Sequence, residues 1–202
     1  MSSEASVEIT GTRLRYASRG GQKLEGALED FGVDVSGRVC LDVGSSTGGF
    51  TDCLLQRGAA RVYAVDVTVD QLAWKLQTDP RVIRVERNAR KLSATEIPEA
   101  VDLVAMDVSF ISLDKVLGPA AAVARTGAEF LILVKPQFEL DRGDLGKGGI
   151  VREPRLHEKA IERVKQAAVK AGLELVGVRP SRLQGAGGNQ EFFLHARRKS
   201  VE

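Results

Sequence analysis

Cysteine is scarce in this 202-residue chain. Only Cys40 and Cys53 occur, too few for a disulfide framework or a zinc cluster, and Cys40 lies in an apolar run that reads as a plain buried thiol. No apolar stretch approaches the roughly 20 residues that span a bilayer. No secretory leader is recognisable, so a reducing cytoplasm is the expected setting. Aromatic residues make up 5%, and the single tryptophan, Trp74, sits between Leu72 and Leu76 at a spacing that predicts a packing role. No internal repeat, low-complexity tract or second domain is visible. These absences exclude a pore built from membrane helices, a secreted mini-protein and a collagen-like chain.

What is present is ordinary globular composition, 43% hydrophobic and 28% charged, long enough for one core to form without disulfides or a structural metal. The net charge of +2 conceals an asymmetry. Residues 29–141 hold twelve Lys/Arg against seventeen Asp/Glu, and residues 142–202 hold thirteen against seven. An acidic middle followed by a basic end is compatible with one face meeting a polyanion, or with charges that only solvate surface elements.

Residues 1–15 are small and polar at first and predict a flexible lead-in, so the folded domain is expected over 16–202. Leu24, Ala27, Leu28 and Phe31 recur at helical spacing, with Gly32 as a stop, which predicts a helix over 22–31. Beyond it the pattern alternates. Strands are expected at 39–43, 61–66, 82–85, 101–106 and 129–134, and helices at 48–57, 70–77 and 113–124. That alternation predicts an α/β fold with a mostly parallel sheet and right-handed crossovers. Residues 136–152 form a glycine-rich loop long enough to act as a lid over substrate. A helix over 154–171 follows, then strands at 173–178 and 190–196. With no helix between them these last two strands should be antiparallel.

The strongest local signal is Leu41-Asp-Val-Gly-Ser-Ser-Thr-Gly-Gly-Phe50, a buried strand running through glycines into a helix. Glycine allows a sharp turn and close approach to peptide N–H groups, and a helix N-terminus adds positive partial charge. In a doubly wound sheet this turn lies at the topological switch point. The spacing Gly-x-x-x-Gly-Gly departs from the Gly-x-Gly-x-x-Gly pattern that packs a pyrophosphate. Asp66 closes the second strand 22 residues after Gly44, where a carboxylate would take ribose hydroxyls. A nucleoside cofactor without pyrophosphate fits, and S-adenosylmethionine is the common one. Gly44, Ser45, Gly48 and Gly49 are expected to line its methionine end, Asp42 to reach its amino group through water, and Asn88 to sit near adenine. Phe50 is expected to pack the helix.

Four charged residues fall where a parallel sheet gathers its site. Asp107 follows the apolar strand ending at Met106, and Lys135 follows the one ending at Val134. Lys23 begins the first helix, and Glu191 lies in the last strand. Singly each has an ordinary structural reading as a snorkelling lysine, a turn cap or an edge residue. Together, beside a cofactor turn, they favour a site.

The strings YASRGGQKLEGAL, LDVGSSTGGFT, DVSFISL, LVKPQFE and GNQEFFL resemble, in that order and over nearly the whole chain, the TlyA or hemolysin-A-like family among the FtsJ-like RNA 2′-O-ribose methyltransferases. The resemblance implies a Rossmann-like fold, S-adenosylmethionine as cofactor, ribosomal RNA or ribosomal subunits rather than DNA or membrane as partner, and a Lys-Asp-Lys-Glu tetrad at Lys23, Asp107, Lys135 and Glu191. Asp107 would also border the cofactor. Family members carry an N-terminal RNA-binding module, whereas about fifteen residues precede the resemblance here. An excised catalytic domain or a short homologue is therefore expected.

A ribose 2′-hydroxyl is a poor nucleophile, so the chemistry needs alignment, which alone supplies roughly 7–11 kcal/mol in ideal geometry, and help with one proton. Lys135 is the expected group at that hydroxyl. Lys23 would add positive potential, and Asp107 and Glu191 would orient the lysines. Arg15, Arg19 and Lys23 at the front, and Arg179, Arg182 and Arg197–Lys199 at the back, are candidate phosphate contacts. Alternative readings are a hemolysin-like membrane-active protein, which would need an amphipathic cationic segment not evident here, a nicotinamide enzyme, which the glycine spacing opposes, and a non-catalytic RNA-binding module.

Overall fold

The structure, a computed structural model, describes residues 15–200, so the expected lead-in lies almost wholly outside the described residues. Seven strands form one sheet in the order β3-β2-β1-β4-β5-β7-β6. They are β1 Val39–Val43, β2 Arg61–Asp66, β3 Val82–Glu86, β4 Val101–Met106, β5 Ala124–Val134, β6 Leu173–Pro180 and β7 Phe192–Arg198. The first five are parallel, and β7 inserts antiparallel between β5 and β6.

Alternation along the central strands sends successive side chains to opposite faces. Cys40, Leu103, Ala105, Leu131 and Leu133 face one core, packed by Leu24 and Leu28 of α1 (Arg19–Phe31), Phe50 and Leu54 of α2 (Gly49–Gln56), and Leu76 of α3 (Trp74–Gln77). Leu41, Val104, Met106, Phe130 and Ile132 face the other, covered by Leu117 of α4 (Leu117–Val123) and Val164 and Ala168 of α6 (Pro154–Lys170). Both faces of the central strands β1, β4 and β5 are thus buried, which explains their largely apolar sequences. Among the described residues no helix is long and apolar enough to cross a membrane.

Several boundaries differ from expectation. Helix α1 starts at Arg19 instead of Gln22, because Ser18 caps it and the glycine pair serves close packing: a Cβ on Gly21 would lie 2.4 Å from the Tyr16 side chain. The helix expected over 70–77 is a single 3-10 turn at 69–71 followed by α3. The Ala73 N–H donates to the Thr47 carbonyl at 3.1 Å, and Gln77 Nε2 donates to the carbonyls of Asp70 and Leu72, so neither set of groups is spent on one continuous helix. Residues 113–115 likewise form a 3-10 turn ahead of α4. The loop after β5 contains α5 (Pro136–Glu139) and two 3-10 turns. Its Leu140 and Val151 pack on Ala160 of α6. The last strand begins at Phe192, so Glu191 immediately precedes it instead of lying within it. Trp74 is 76% exposed and does not pack in the core, since Leu72 and Leu76 take the inward positions.

Candidate active site

The chain enters β1 at the sheet centre and continues outward on one side through β2 and β3, on the other through β4 and β5. The crevice between the β1 and β4 exits is therefore the switch point. Gly44 leaves β1 with φ of 86°, and a Cβ there would stand 2.5 Å from the Asp107 carbonyl oxygen. Only glycine lets the two exits run this close. The Gly44 and Ser45 N–H groups both donate to the Val65 carbonyl, which ties the turn to β2. The other two glycines of the turn accommodate protein contacts: a Cβ on Gly48 would meet Leu76 Cδ1 at 2.2 Å, and one on Gly49 would meet Ser18 Oγ at 2.2 Å. Gly49 thus brings the N-terminus of α2 against that of α1, which carries Lys23.

Two ion pairs form above this turn. Lys23 Nζ lies 2.5 Å from Glu191 Oε2, and both side chains are buried. Gly185 crosses so near Glu191 that any side chain there would overlap the carboxylate. Lys135 Nζ lies 2.6 Å from Asp107 Oδ1 and donates to Ser109 Oγ at 2.7 Å. Strand register explains the convergence. β4 and β5 are parallel neighbours ending at Met106 and Val134, and β7 starts antiparallel beside the end of β5, with Phe192 opposite Val134. Lys23, Asp107 and Lys135 line one cavity of about 300 Å³ with Gly20, Gly44, Ser45 and Gly49. Glu191 stands behind Lys23, outside the cavity wall, so its contact with the site passes through that lysine.

A second cavity of about 580 Å³ shares Gly44, Ser46, Asp107 and Ser109 with the first and extends past β2. Asp66, Gln71, Arg87, Asn88 and Arg90 supply further polar groups; Val67, Val108, Phe110 and Ile111 supply apolar walls. Asp66 Oδ2 accepts the Ser46 N–H at 2.9 Å and Oδ1 accepts the Val67 N–H at 2.7 Å, fixing the carboxylate at the rim. Asn88 Oδ1 accepts the Arg90 N–H at 3.1 Å, so this residue caps a turn while also bordering the cavity.

Asp42 is placed differently from its expected reach to the ligand. It is fully buried behind the turn, its Oδ2 accepting from Thr51 Oγ1 at 2.6 Å, and it lines neither cavity. Burial pushes its carboxyl up to about 7 despite the Thr51 bond. Phe50 packs as expected, buried and stacked on Phe193 at 6.2 Å. Cys40 and Cys53 are buried free thiols pushed up to about 12 by desolvation.

The basic residues do not form one ring around the site. Arg19 lines the cavity and donates to the Gln184 carbonyl at 3.2 Å. Arg182 is engaged with Glu29 at 2.7 Å and Asp30 at 2.6 Å on α1. Arg197, Arg198 and Lys199 fall at the opposite edge, because β7 runs away from the crevice for six residues, roughly 20 Å. Strand direction thus carries these three candidate phosphate contacts away from the crevice. Sequence reasoning also missed Ser18, Ser109 and Gln184 in the cavity wall and Phe110 at the second cavity's rim. Ser109 and Phe110 sit inside DVSFISL and follow Asp107 closely, so proximity could have flagged them. Nothing in the sequence signals the positive φ of 62° that Phe110 adopts. Glu139, also missed as a structural element, is buried and accepts from Ser112 Oγ at 2.7 Å and the Leu113 N–H at 3.0 Å, clamping the segment after β4 to the one after β5.

The FtsJ-like methyltransferase family matches residues 16–198. The chain is 49% identical over 190 residues to the 16S/23S rRNA (cytidine-2′-O)-methyltransferase TlyA of Mycobacterium tuberculosis, covering 94% of this chain and 71% of that one. A solved structure of a protein named as a hemolysin, from Streptococcus thermophilus, superposes with a TM-score of 0.90 at 44% identity, covering 95% of this chain and 70% of that one. An S-adenosylmethionine-dependent methyltransferase from Mesorhizobium loti shares the fold alone, with a TM-score of 0.64 at 15% identity over 87% of this chain and 98% of that one. The chain therefore belongs to the FtsJ-like methyltransferases, among the relatives of TlyA.

Proposed function

We propose that this chain transfers the methyl group of S-adenosylmethionine to a ribose 2′-hydroxyl of ribosomal RNA, with residues 16–202 as one catalytic domain working in the cytoplasm on ribosomal subunits. The observation that carries the reading is the meeting of two ammonium–carboxylate pairs, Lys23–Glu191 and Lys135–Asp107, from four distant parts of the chain over the Gly44–Gly49 turn.

The residues present fit the cofactor. The turn offers backbone groups at a place where a Gly44 side chain would not fit, and the adjoining cavity pairs the Asp66 carboxylate and Asn88 amide with apolar walls. Bound there, S-adenosylmethionine supplies a methyl group already activated by a cationic sulfur. Asp66 would hold its ribose and the Gly44–Gly49 turn its methionine end.

The protein's own work is positioning and proton handling. Lys135 Nζ donates to Ser109 Oγ and pairs with the Asp107 carboxylate, and these two contacts hold it at the cavity where the substrate oxygen would lie. In the ammonium form it donates to that oxygen; as an amine it accepts the hydroxyl proton. Lys23, held by Glu191 from behind, adds positive charge at the cavity wall where an alkoxide develops or a phosphate lies. The hydroxyl oxygen would gain the new C–O bond as the methyl–sulfur bond breaks and its proton passes to the Lys135 amine.

Tritiated methyl transfer onto isolated ribosomal subunits, followed by alkaline hydrolysis, tests this. A 2′-O-methyl group blocks cleavage of the next phosphodiester, so label is expected in alkali-resistant dinucleotides. Label confined to mononucleotides would mean base methylation and contradict the reading.

A further inference from the structure

Trp74 is the chain's single tryptophan, and its indole is 76% exposed. The flanking Leu72 and Leu76 are buried over Gly48, so the turn is anchored from beneath while the indole is held outside. Two contacts fix it beside the active-site cavity. The preceding Ala73 N–H donates to the carbonyl of Thr47, a cavity residue. The following Lys75 pairs with Asp52 Oδ2 at 2.6 Å, and the same oxygen accepts the Ala17 N–H at 2.7 Å, one residue before the cavity-lining Ser18. Trp74 thus stands between two segments of the cavity rim.

Two ion pairs joined at this edge through Asp52 and Gln56 turn their cations outward, beside one exposed carboxylate, Asp70, in the preceding turn. The Lys75 side chain is 55% exposed and that of Arg15 62%, whereas their partners Asp52 and Glu25 are 5% and 16% exposed. A membrane surface or a protein partner would be met by a contiguous apolar patch. A lone rigid indole among outward cations instead matches a single-stranded nucleic acid, whose bases stack on aromatic faces while phosphates take the cations. We propose that Trp74 is the stacking platform for an unpaired base near the methylated nucleotide, with Lys75 and Arg15 on the adjoining phosphates. The inference rests on the RNA-methyltransferase reading above and deepens it by naming where the strand lies.

Being the only tryptophan, Trp74 reports on its own stacking. The test titrates the protein with a single-stranded oligoribonucleotide of about ten residues and with the same strand as a blunt duplex, following indole fluorescence. Filter retention of both RNAs by wild type, Trp74→Phe and Trp74→Ala runs in parallel, with methyl transfer to ribosomal subunits and calorimetric cofactor binding as controls. The single strand is expected to quench fluorescence more than the duplex. Trp74→Ala should bind the single strand about 5- to 100-fold more weakly, Trp74→Phe should lose clearly less, and cofactor affinity should be the same in all three. Unchanged fluorescence at saturating RNA, or unchanged retention by Trp74→Ala, in a wild type that methylates RNA would overturn this inference alone. A wild type that neither retains nor methylates RNA would overturn the underlying reading and this inference with it.

Discussion

Removing Glu191 separates the structural from the chemical role of the buried pair. Glu191→Ala leaves the Lys23 ammonium without its partner in a place where its side chain is 11% exposed and that of Glu191 was 2% exposed. Breaking a buried pair from one side costs about 3–5 kcal/mol. Lys23 borders a cavity that keeps part of its hydration, so the lower end, about 3 kcal/mol, applies. In a domain of this length each kcal/mol moves the midpoint by about 2–4 °C, which gives a loss of roughly 6–12 °C. Lys23→Met/Glu191→Leu removes both charges and keeps comparable volume, so most of the stability should return. Methyl transfer should fall in Glu191→Ala, where Lys23 loses its anchor, and should stay low in the double variant, where the Lys23 charge is gone from the cavity wall although Lys135 remains. Thermal and urea unfolding give the stabilities, and tritium transfer gives the activity. The reasoning fails if the single variant unfolds like wild type, or if the double variant regains turnover.

Gly49→Ala pushes a methyl to within 2.2 Å of Ser18 Oγ and 2.9 Å of the Gly21 nitrogen, so it should cost about 1–3 kcal/mol by wedging α1 from α2. Urea midpoints should show partial recovery in Ser18→Gly/Gly49→Ala, and an unchanged midpoint in the single variant would refute the packing argument. Asp42 is raised from 3.8 to about 7 by burial, so the folded state holds its proton more tightly than the unfolded chain. The associated stability is complete below about pH 4 and is lost as pH rises to about 7. Asp42→Asn should therefore gain on wild type between about pH 5 and pH 8 in urea unfolding; parallel pH profiles would contradict this. Asp66→Ala should weaken cofactor binding about 10- to 100-fold by calorimetry, the worth of one charged acceptor, and unchanged affinity would remove Asp66 from the ribose contact.

The mostly parallel sheet with an antiparallel end was legible because the central strands are largely apolar runs buried on both faces, and because two strands joined without a long helix turn back on one another. The meeting of Asp107 and Lys135 was legible for the same reason: both follow apolar runs directly, and parallel strands end at one edge. Helix boundaries were less so. Gly20-Gly21 reads locally as a break, yet Ser18 caps the helix ahead of it and Tyr16 needs the space above Gly21. Residues 70–77 have helical spacing, but Thr47 claims the Ala73 N–H through a tertiary bond that no local pattern announces. Asp42 and Asp66 both lie by strand ends and look alike in sequence. One residue of strand, Val43, remains between Asp42 and the turn's exit at Gly44, which keeps Asp42 in the core, whereas Asp66 is its strand's last residue and reaches the rim. Arg197–Lys199 show the converse: their charge was visible, but their edge depended on the direction of β7.

The account stands most directly on Lys135, whose nitrogen is anchored by Asp107 and Ser109 at the cavity where the substrate oxygen must lie. The decisive measurement is tritiated methyl transfer to ribosomal subunits by Lys135→Ala, paired with calorimetric binding of S-adenosylmethionine to the same protein. Transfer should vanish while cofactor affinity stays within about threefold, a change of less than 1 kcal/mol. Undiminished turnover in that variant would show that the oxygen is handled elsewhere and would contradict the site described here.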